Sequence, residues 1–321
     1  MPSIKPFTVL AALLLLAVGQ SLAQQNYPNK PIRFLLPYPP GGSTDTFSRI
    51  VTQKLSENLG QQVVVENRPG GNTIIGTEAM AKAAPDGYTI GLVASTYAIN
   101  PSLFKLPYDP AKDLTPIIQA GFSSLVLVVH PSMPIKTFKE FLAYAKANPG
   151  KLNYGTVGSG SVTHLASEMF EDVAGIDTVN VPYKGTAPML TDLIGGQLHY
   201  ALDTPATSIP HLKSGKLRGI AVASAKRSSA MPDIPTMTEA GLPFEISAWL
   251  GIVAPAGTPK EIVNKLNAEI NKILQLPDVR ERLAVSALEP GGGTPEQFAA
   301  VIRADLARWP AIVKKANVKV E

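Results

Sequence analysis

Short apolar runs of strand length alternate along the chain with longer segments in which apolar residues recur at helical spacing. In the first part of the chain, strands are predicted at 32–36, 63–65 and 88–93, and helices at 44–59 and 73–83. This alternation is typical of an α/β fold built on parallel sheets.

The segment 44–59 carries the clearest helical pattern. Phe47, Ile50, Val51 and Leu55 follow the spacing of one helix face. Gly60 stands where a left-handed residue commonly ends a helix. We therefore expect an amphipathic helix that ends at Leu59.

A second series of the same kind follows after residue 124. Strands are predicted at 125–129, 152–154, 179–181, 199–202 and 217–223, an apolar run at 249–254, and helices at 162–173, 187–194, 261–276 and 297–314. Capping boxes at Thr137 to Glu140 and Thr258 to Glu261 mark two further helix starts. Two series in one chain favour two α/β domains.

The first residues have the pattern of a secretory signal peptide. Lys5 precedes an apolar run at 7–18, and the small residues Ser21 and Ala23 follow where a signal peptidase cleaves. The run is shorter than the roughly 20 residues that cross a bilayer. Export to the periplasm is therefore expected, with residues 1–23 removed.

Composition agrees with an exported globular protein of two domains. Apolar residues make up 45% of the chain and charged residues 17%, which is usual for globular proteins. The absence of cysteine excludes disulfides and a catalytic thiol. The formal net charge of +4 is spread without basic runs, so nucleic acid is not an expected partner.

The turn after the first predicted strand, PYPPGGSTD from Pro37, carries little side-chain volume. If Ser43 is the N-cap, Gly41 and Gly42 lie just outside a helix whose first N–H groups lack intrahelical partners. Such a terminus binds anions. An ordinary tight turn with a serine cap explains this stretch equally well.

Similar turns recur after other predicted strands. One contains Gly155, Gly158 and Gly160, a second places Ser95 and Thr96 after a strand, and a third has Gly185 before Thr186. Ligands of open α/β sheets bind at the carboxyl ends of strands. The recurrence therefore favours a small anion held between two domains.

Enzyme and metal motifs are missing from the sequence. It has no G-x-S-x-G elbow, and its glycine spacings fit neither a dinucleotide loop nor a phosphate loop. The four histidines lack metal-ligand spacing. No catalytic residue, cofactor or metal is therefore predicted. His164 is expected to donate from its ring to nearby backbone, with ligand contact as the alternative.

Three charged residues lie near these turns, and each has two interpretations. Asp45 falls in the first turn of a helix, where a carboxylate normally stabilises the N-terminus, which is the favoured interpretation, with ligand contact as the alternative. Asp203 ends a predicted strand and either pairs with a ligand or serves the fold. Lys184 is the cation beside Gly185, and either contacts ligand or is solvated.

Six motifs follow one another along the chain: PYPPGGSTD, RPGGNTIIGTEAMAKAAPDGYT, NYGTVGSGSVTHLASEMF, VPYKGTAPMLTDLIGGQL, IPTMTEAGLPFEISAWLGIVAPAGTP and the closing helices. Together they resemble the Bug-type receptors, the extracytoplasmic solute-binding proteins of tripartite tricarboxylate transporters. The resemblance spans nearly all of residues 26–320.

The resemblance implies a type II periplasmic binding protein fold, in which two α/β domains close on a ligand. The chain then crosses between domains near Gly121 to Ser124 and Ser247 to Gly251. Domain 1 comprises 24–122 and 249–321, and domain 2 comprises 123–248.

The resemblance also implies that backbone amides and hydroxyls hold the ligand carboxylate. The matching positions are Pro40, Gly41, Gly42, Ser43, Thr44, Asp45, Ser95, Thr96, Gly158, Ser159, Gly160, Ser161, Thr163, His164, Lys184, Gly185 and Asp203.

The function expected from this resemblance is capture of a small carboxylate (a dicarboxylate, an amino acid or an aromatic acid) by a monomer that delivers it to membrane transporter subunits. The alternative is a periplasmic sensor that signals to a kinase. An enzyme is disfavoured because nucleophile, metal and cofactor motifs are missing.

Overall fold

The structure is a computed structural model that describes residues 27–158, 160–285, 287–315 and 318. The predicted signal peptide lies outside the described residues. Within those residues, no helix has the length and apolar character needed to cross a membrane.

Strands and helices alternate through most of the chain. The strands are β1 Ile32–Leu36, β2 Val63–Asn67, β3 Thr89–Ala94, β4 Leu114–Ser124, β5 Val126–Val129, β6 Asn153–Thr156, β7 Val179–Pro182, β8 Tyr200–Asp203, β9 Arg218–Val222, β10 Ser247–Pro255 and β11 Glu289–Pro290. The helices are α1 Ser43–Leu59, α2 Ile74–Ala81, α3 Thr96–Ile99, α4 Phe138–Ala147, α5 Val162–Ala174, α6 Thr186–Ile194, α7 Pro205–Lys213, α8 Lys260–Gln275, α9 Pro277–Val285 and α10 Pro295–Lys315. A 3₁₀ turn, Asn100–Ser102, follows α3.

The strands form two sheets, which define two lobes. The first-lobe sheet has six strands in the order β11-β4-β10-β3-β1-β2, and the second-lobe sheet has five in the order β7-β6-β8-β5-β9. The expected α/β architecture is confirmed, but the sheets are mixed and not purely parallel. β10 runs antiparallel to β3 and β4, and β5 runs antiparallel to β8 and β9, because the chain passes between the sheets in both directions.

The core of the first lobe follows from the predicted periodicity. Phe47, Ile50, Val51 and Leu55 are buried on one face of α1, beneath the apolar strand β1. Gly60 has φ +66° and donates its N–H to the Ser56 carbonyl at 3.1 Å, which confirms the predicted helix end.

One of the two predicted capping boxes is present in the structure, and the prediction of the other is wrong. The Thr137 hydroxyl accepts the Glu140 N–H at 3.2 Å, while the Glu140 carboxylate accepts the Thr137 N–H at 3.1 Å. At the start of α8, however, the N-cap is Pro259, and the Thr258 hydroxyl donates to the Pro255 carbonyl at 2.7 Å. The hydroxyl bonds backward to a carbonyl three residues earlier, at the end of β10, and so does not cap the helix.

The two segments that cross between lobes are neighbours. β4 pairs with β10 from Leu114 opposite Pro255 to Ser124 opposite Ser247. Helix α10 lies against this pair, and the Trp249 indole N–H donates to Asp305 of α10 at 2.8 Å. The predicted domain boundaries fall at these crossings, and they remain predictions.

Candidate functional site

Five loops gather at the carboxyl ends of parallel strands. In the first lobe they follow the adjacent strands β1 and β3, and in the second lobe they follow β6, β7 and β8, which are also neighbours. Each loop leads directly into a helix. The strand order therefore groups the predicted site residues into one set in each lobe.

After the loop that follows β1, helix α1 begins one residue earlier than the sequence predicts. The N-cap is Gly42, with an extended backbone at φ −79° and ψ 174°, and Ser43 is the first helical residue, without a side-chain cap bond. The left-handed residue is Gly41, at φ +87°. The interpretation of Ser43 as the N-cap is therefore wrong, because the extended residue that starts the helix is the glycine before it.

Asp45 fixes the shape of this loop. One of its carboxylate oxygens accepts the Gly41 N–H at 3.0 Å and the Arg49 guanidinium at 2.9 Å, and the other accepts the Asn67 amide at 3.0 Å. The hydrogen bond from Arg49 is the main cause that lowers the pKa of Asp45 to about 2. Asp45 is buried, and its charge is balanced within the protein.

Because Asp45 accepts one of the loop N–H groups, a different set of backbone N–H groups remains to bind an anion. The Gly41 N–H, which lies just outside the helix, is already donated to Asp45. The first helical backbone bond runs from Thr46 N–H to the Gly42 carbonyl at 2.9 Å, so the N–H groups of Ser43 and Thr44 fall within the first turn. A Cβ added at Gly42 meets no atom within 4 Å among the described residues. The space in front of this turn is open.

The loop after β3 is tied both to the first loop and to a crossing strand. The Thr96 hydroxyl lies 2.9 Å from the Tyr38 hydroxyl, and burial raises the pKa of Tyr38 to about 12, so the phenol stays protonated. Ser95 is 2% exposed, and its hydroxyl accepts the Trp249 N–H at 2.8 Å. In this structure the Ser95 side chain therefore serves the fold, whereas Thr96 is half-buried beside the open loop.

The loop between β6 and α5 is closed by its own side chains. Ser161 is the N-cap and accepts the His164 N–H at 3.2 Å, and its hydroxyl lies 3.1 Å from that of Thr163. Gly158 and Gly160 have φ +123° and +74°. Ser159 lies outside the described residues.

The His164 ring accepts a backbone bond where donation was expected. The Gly160 N–H donates to Nδ1 at 3.1 Å, and Nε2 lies 3.6 Å from a Glu168 carboxylate oxygen. The residue is 5% exposed. His164 therefore bonds to nearby backbone, as the structural interpretation expects, but it accepts the hydrogen bond and does not donate it. The reason is that the left-handed Gly160 turns its N–H toward the ring.

The remaining two loops differ in exposure. Gly185 is the N-cap of α6 at φ +115°, with open space at its Cβ position, and Lys184 beside it is exposed. Asp203 is 1% exposed, and one of its oxygens accepts the hydroxyls of Thr207 at 2.7 Å and Ser208 at 2.6 Å. Burial raises the pKa of Asp203. Its carboxylate thus holds the start of α7, and it does not stand open to a ligand.

The loop after β6 comes close to the first lobe at Gly160. A Cβ at Gly160 would lie 3.1 Å from the Leu103 side chain of the first lobe and 3.2 Å from Val318. Sequence reasoning missed Leu103, and also Tyr38, Arg49 and Asn67, which fix the first-lobe loops. Among these four residues, Tyr38 lies within the segment PYPPGGSTD, so its place in that segment could have marked it as a site residue.

Comparison with known proteins places this geometry in a family. The family model described as tripartite tricarboxylate transporter family receptor matches residues 47–318. Protein BugT of Bordetella pertussis is 37% identical over 308 residues, covering 95% of this chain and 94% of BugT.

Three solved structures have the same fold. An R. palustris protein with adipate is 35% identical, with TM-score 0.73 and coverage of 91% of this chain and 99% of that chain. MatC from Rhodopseudomonas palustris with bound malate is 33% identical, with TM-score 0.68 and coverage of 89% and 100%. A TctC solute-binding protein from Polaromonas, solved without ligand, is 31% identical, with TM-score 0.82 and coverage of 90% and 99%.

The Polaromonas protein is described as solute-binding, and the matching family is described as a receptor family. The order of the motifs, the topology of the two sheets and the family match agree along the chain. The chain therefore belongs to the tripartite tricarboxylate transporter receptor family, the Bug-type solute-binding proteins.

Proposed function

We propose that this protein is a periplasmic receptor that captures a dicarboxylic acid between its lobes and delivers it to a tripartite membrane transporter. The observation that carries the proposal is the open first turn of α1, in a family where one relative is solved with adipate and another with malate. Both acids carry two carboxylates. The receptor acts as a monomer, exported by the signal sequence.

Each lobe takes one carboxylate in this proposal. In the first lobe, the N–H groups of Ser43 and Thr44 and the Thr96 hydroxyl hold one end of the acid. In the second lobe, the start of α6 at Gly185 and the ammonium of Lys184 hold the other end. The positive ends of the helix dipoles favour both contacts.

The protein performs no chemistry on the acid. Asp45 and Asp203, the carboxylates nearest the loops, are held by protein donors, and the His164 ring is occupied at Nδ1. A general acid or base must lie within hydrogen-bond reach of a reacting group, and these side chains face their own loops. Binding and release are the function that this arrangement supports.

We infer that the lobes stand in the open arrangement. The inference is supported by the overall agreement, which is better with the ligand-free Polaromonas protein than with the adipate complex, although sequence identity is higher with the latter. In hinged receptors the relative orientation of the lobes changes when ligand binds. Ligand capture then draws the lobes together about β4 and β10.

The test is calorimetric titration of the exported protein with adipate and malate, preceded by a thermal-shift screen. An acid at 100 times its dissociation constant stabilises the fold by about 2.7 kcal/mol. Lys184→Gln is expected to weaken binding of the acid about threefold to tenfold, because one charge partner is lost. Lys213→Gln, which removes an exposed lysine at the end of α7, is the matched control.

Two results contradict the proposal. One is a panel of dicarboxylic, amino and aromatic acids in which none raises the melting temperature. The other is equal affinity of the Lys184 and Lys213 variants for the acid that binds best, which removes Lys184 from the site.

A further inference from the structure

A carboxylate of the first lobe holds a loop of the second lobe. Glu289 of β11 accepts the Ser229 N–H at 2.9 Å and the Ser229 hydroxyl at 2.7 Å through one oxygen, and the Ser228 hydroxyl lies 3.4 Å from the same oxygen. Ser228 and Ser229 belong to the connection between β9 and β10. We call this group of three residues the Glu289 clasp.

The clasp lies on the far side of the crossing strands from the proposed binding loops. In the first sheet, β11 and the binding strands β3 and β1 flank the pair β4 and β10 on opposite sides. In the second sheet, β9 and the binding strands β8, β6 and β7 flank β5 in the same way. We therefore expect a rotation about the crossing strands that brings the binding loops together to separate the two halves of the clasp.

The surroundings of the clasp allow such movement. A cavity of about 360 Å³ is lined by Phe122 and Glu289 from the first lobe and by residues 224–229 from the second. Because its walls come from both lobes, it changes shape when they rotate. Ser229 is exposed and Glu289 is half-buried, so water can replace the bonds that break.

We infer that the Glu289 clasp stabilises the open arrangement and thereby sets the affinity for ligand. The inference rests on the proposed function, because closing on a ligand is what breaks the clasp. A receptor that must first leave a stabilised open state binds with an apparent affinity reduced by the fraction that is competent to close. Weakening the clasp is then expected to strengthen binding, whereas ordinary structural damage weakens it.

The first experiment measures the lobes without any ligand. Since the chain contains no cysteine, Gln53→Cys on α1 and Thr191→Cys on α6 introduce two unique, exposed sites for spin labels. Glu289→Ala is expected to shift the distribution of inter-label distances toward shorter values. Ser229→Ala, which keeps the backbone donor, is expected to shift it less in the same direction.

Glu239→Ala is the matched control. Glu239 accepts Arg227 Nε and the Thr236 N–H, both at 2.8 Å, and all three residues lie in the same connection as Ser229. Its loss removes a carboxylate from the same connection without removing a hydrogen bond between the lobes. The distances should then equal those of the parent.

The second experiment titrates the same variants with adipate. Glu289→Ala is expected to bind about threefold to tenfold more tightly than the parent and the Glu239→Ala control. Unchanged or longer label distances in Glu289→Ala, or weaker binding, overturn the clasp. If no acid binds the parent, the proposed ligand class is wrong. The label distances measured without ligand still show whether the clasp stabilises the open arrangement.

Discussion

Two adjacent glycines in the loop after β1 meet different demands. Gly41 has φ +87° and gives its N–H to Asp45, so it shapes the loop. Gly42 has φ −79°, a value open to every residue, and faces open space. Substitution at Gly41 therefore strains the backbone, whereas substitution at Gly42 mainly fills volume in front of the helix.

Gly42→Val is expected to weaken dicarboxylate binding by about tenfold or more, because the branched side chain occupies the space in front of the first N–H groups of α1. The loss in unfolding free energy should stay near 1 kcal/mol, the order of a changed N-cap. Calorimetric titration and chemical denaturation measure the two effects.

Ser43→Ala is the companion variant. Since Ser43 makes no cap bond, its replacement should leave the free energy of unfolding nearly unchanged. Parent-like affinity in Gly42→Val contradicts the assignment of a ligand to this turn.

At the level of one element, helix α5 carries a half-buried acid, Glu171, whose charged form is destabilised by its surroundings. Glu171 accepts the hydroxyl of Thr178, which also lies 2.8 Å from the Tyr200 hydroxyl. Burial, the largest cause, raises the pKa of Glu171 to about 7, and the neighbouring Glu168 carboxylate adds to the rise. The folded protein therefore binds a proton that the unfolded chain releases near its ordinary pKa.

Glu171→Gln is expected to stabilise the protein above pH 7. Between about pH 4.5 and 7 the folded state holds more protons than the unfolded state, so the stability of the parent falls as the pH rises. The variant escapes this loss, which is about 1 to 2 kcal/mol at pH 8 once solvent screening of this half-exposed group is taken into account. Denaturation curves at pH 4 and pH 8 provide the measurement.

The pH 4 curves are the internal control, because both proteins are then neutral at this position and should have similar stability. A gain of the same size at both pH values means that packing, and not ionisation, separates Gln from Glu at residue 171.

Features that depend on residues close together in sequence could be predicted, and features that depend on pairing with distant parts of the chain could not. The α1 face and the Thr137 box depend on residues within one or two turns, so the sequence indicates them directly. β4 was missed because Pro116, Gln119 and Gly121 interrupt its pattern, and only pairing with β10 makes it a strand. The bonds of His164 and Asp203 likewise depended on loop shapes that no local rule predicts.

At the scale of the whole molecule, ligand should make the particle more compact. Adipate is expected to reduce the radius of gyration measured by X-ray scattering, because the lobes rotate about β4 and β10 while each sheet keeps its shape. A saturating concentration, chosen from the calorimetric titration, is compared with none. Identical scattering curves despite demonstrated binding contradict closure about these strands.

The pairing of Ser124 with Ser247 also constrains how the chain folds. These residues bracket the whole second lobe, so joining β4 to β10 in an unfolded chain closes a loop of about 120 residues, at an entropic cost of about 4 kcal/mol. A second lobe that is already folded brings the two ends together and removes most of this cost. We therefore expect the inserted lobe to fold first and to template the central strand pair of the lobe that surrounds it.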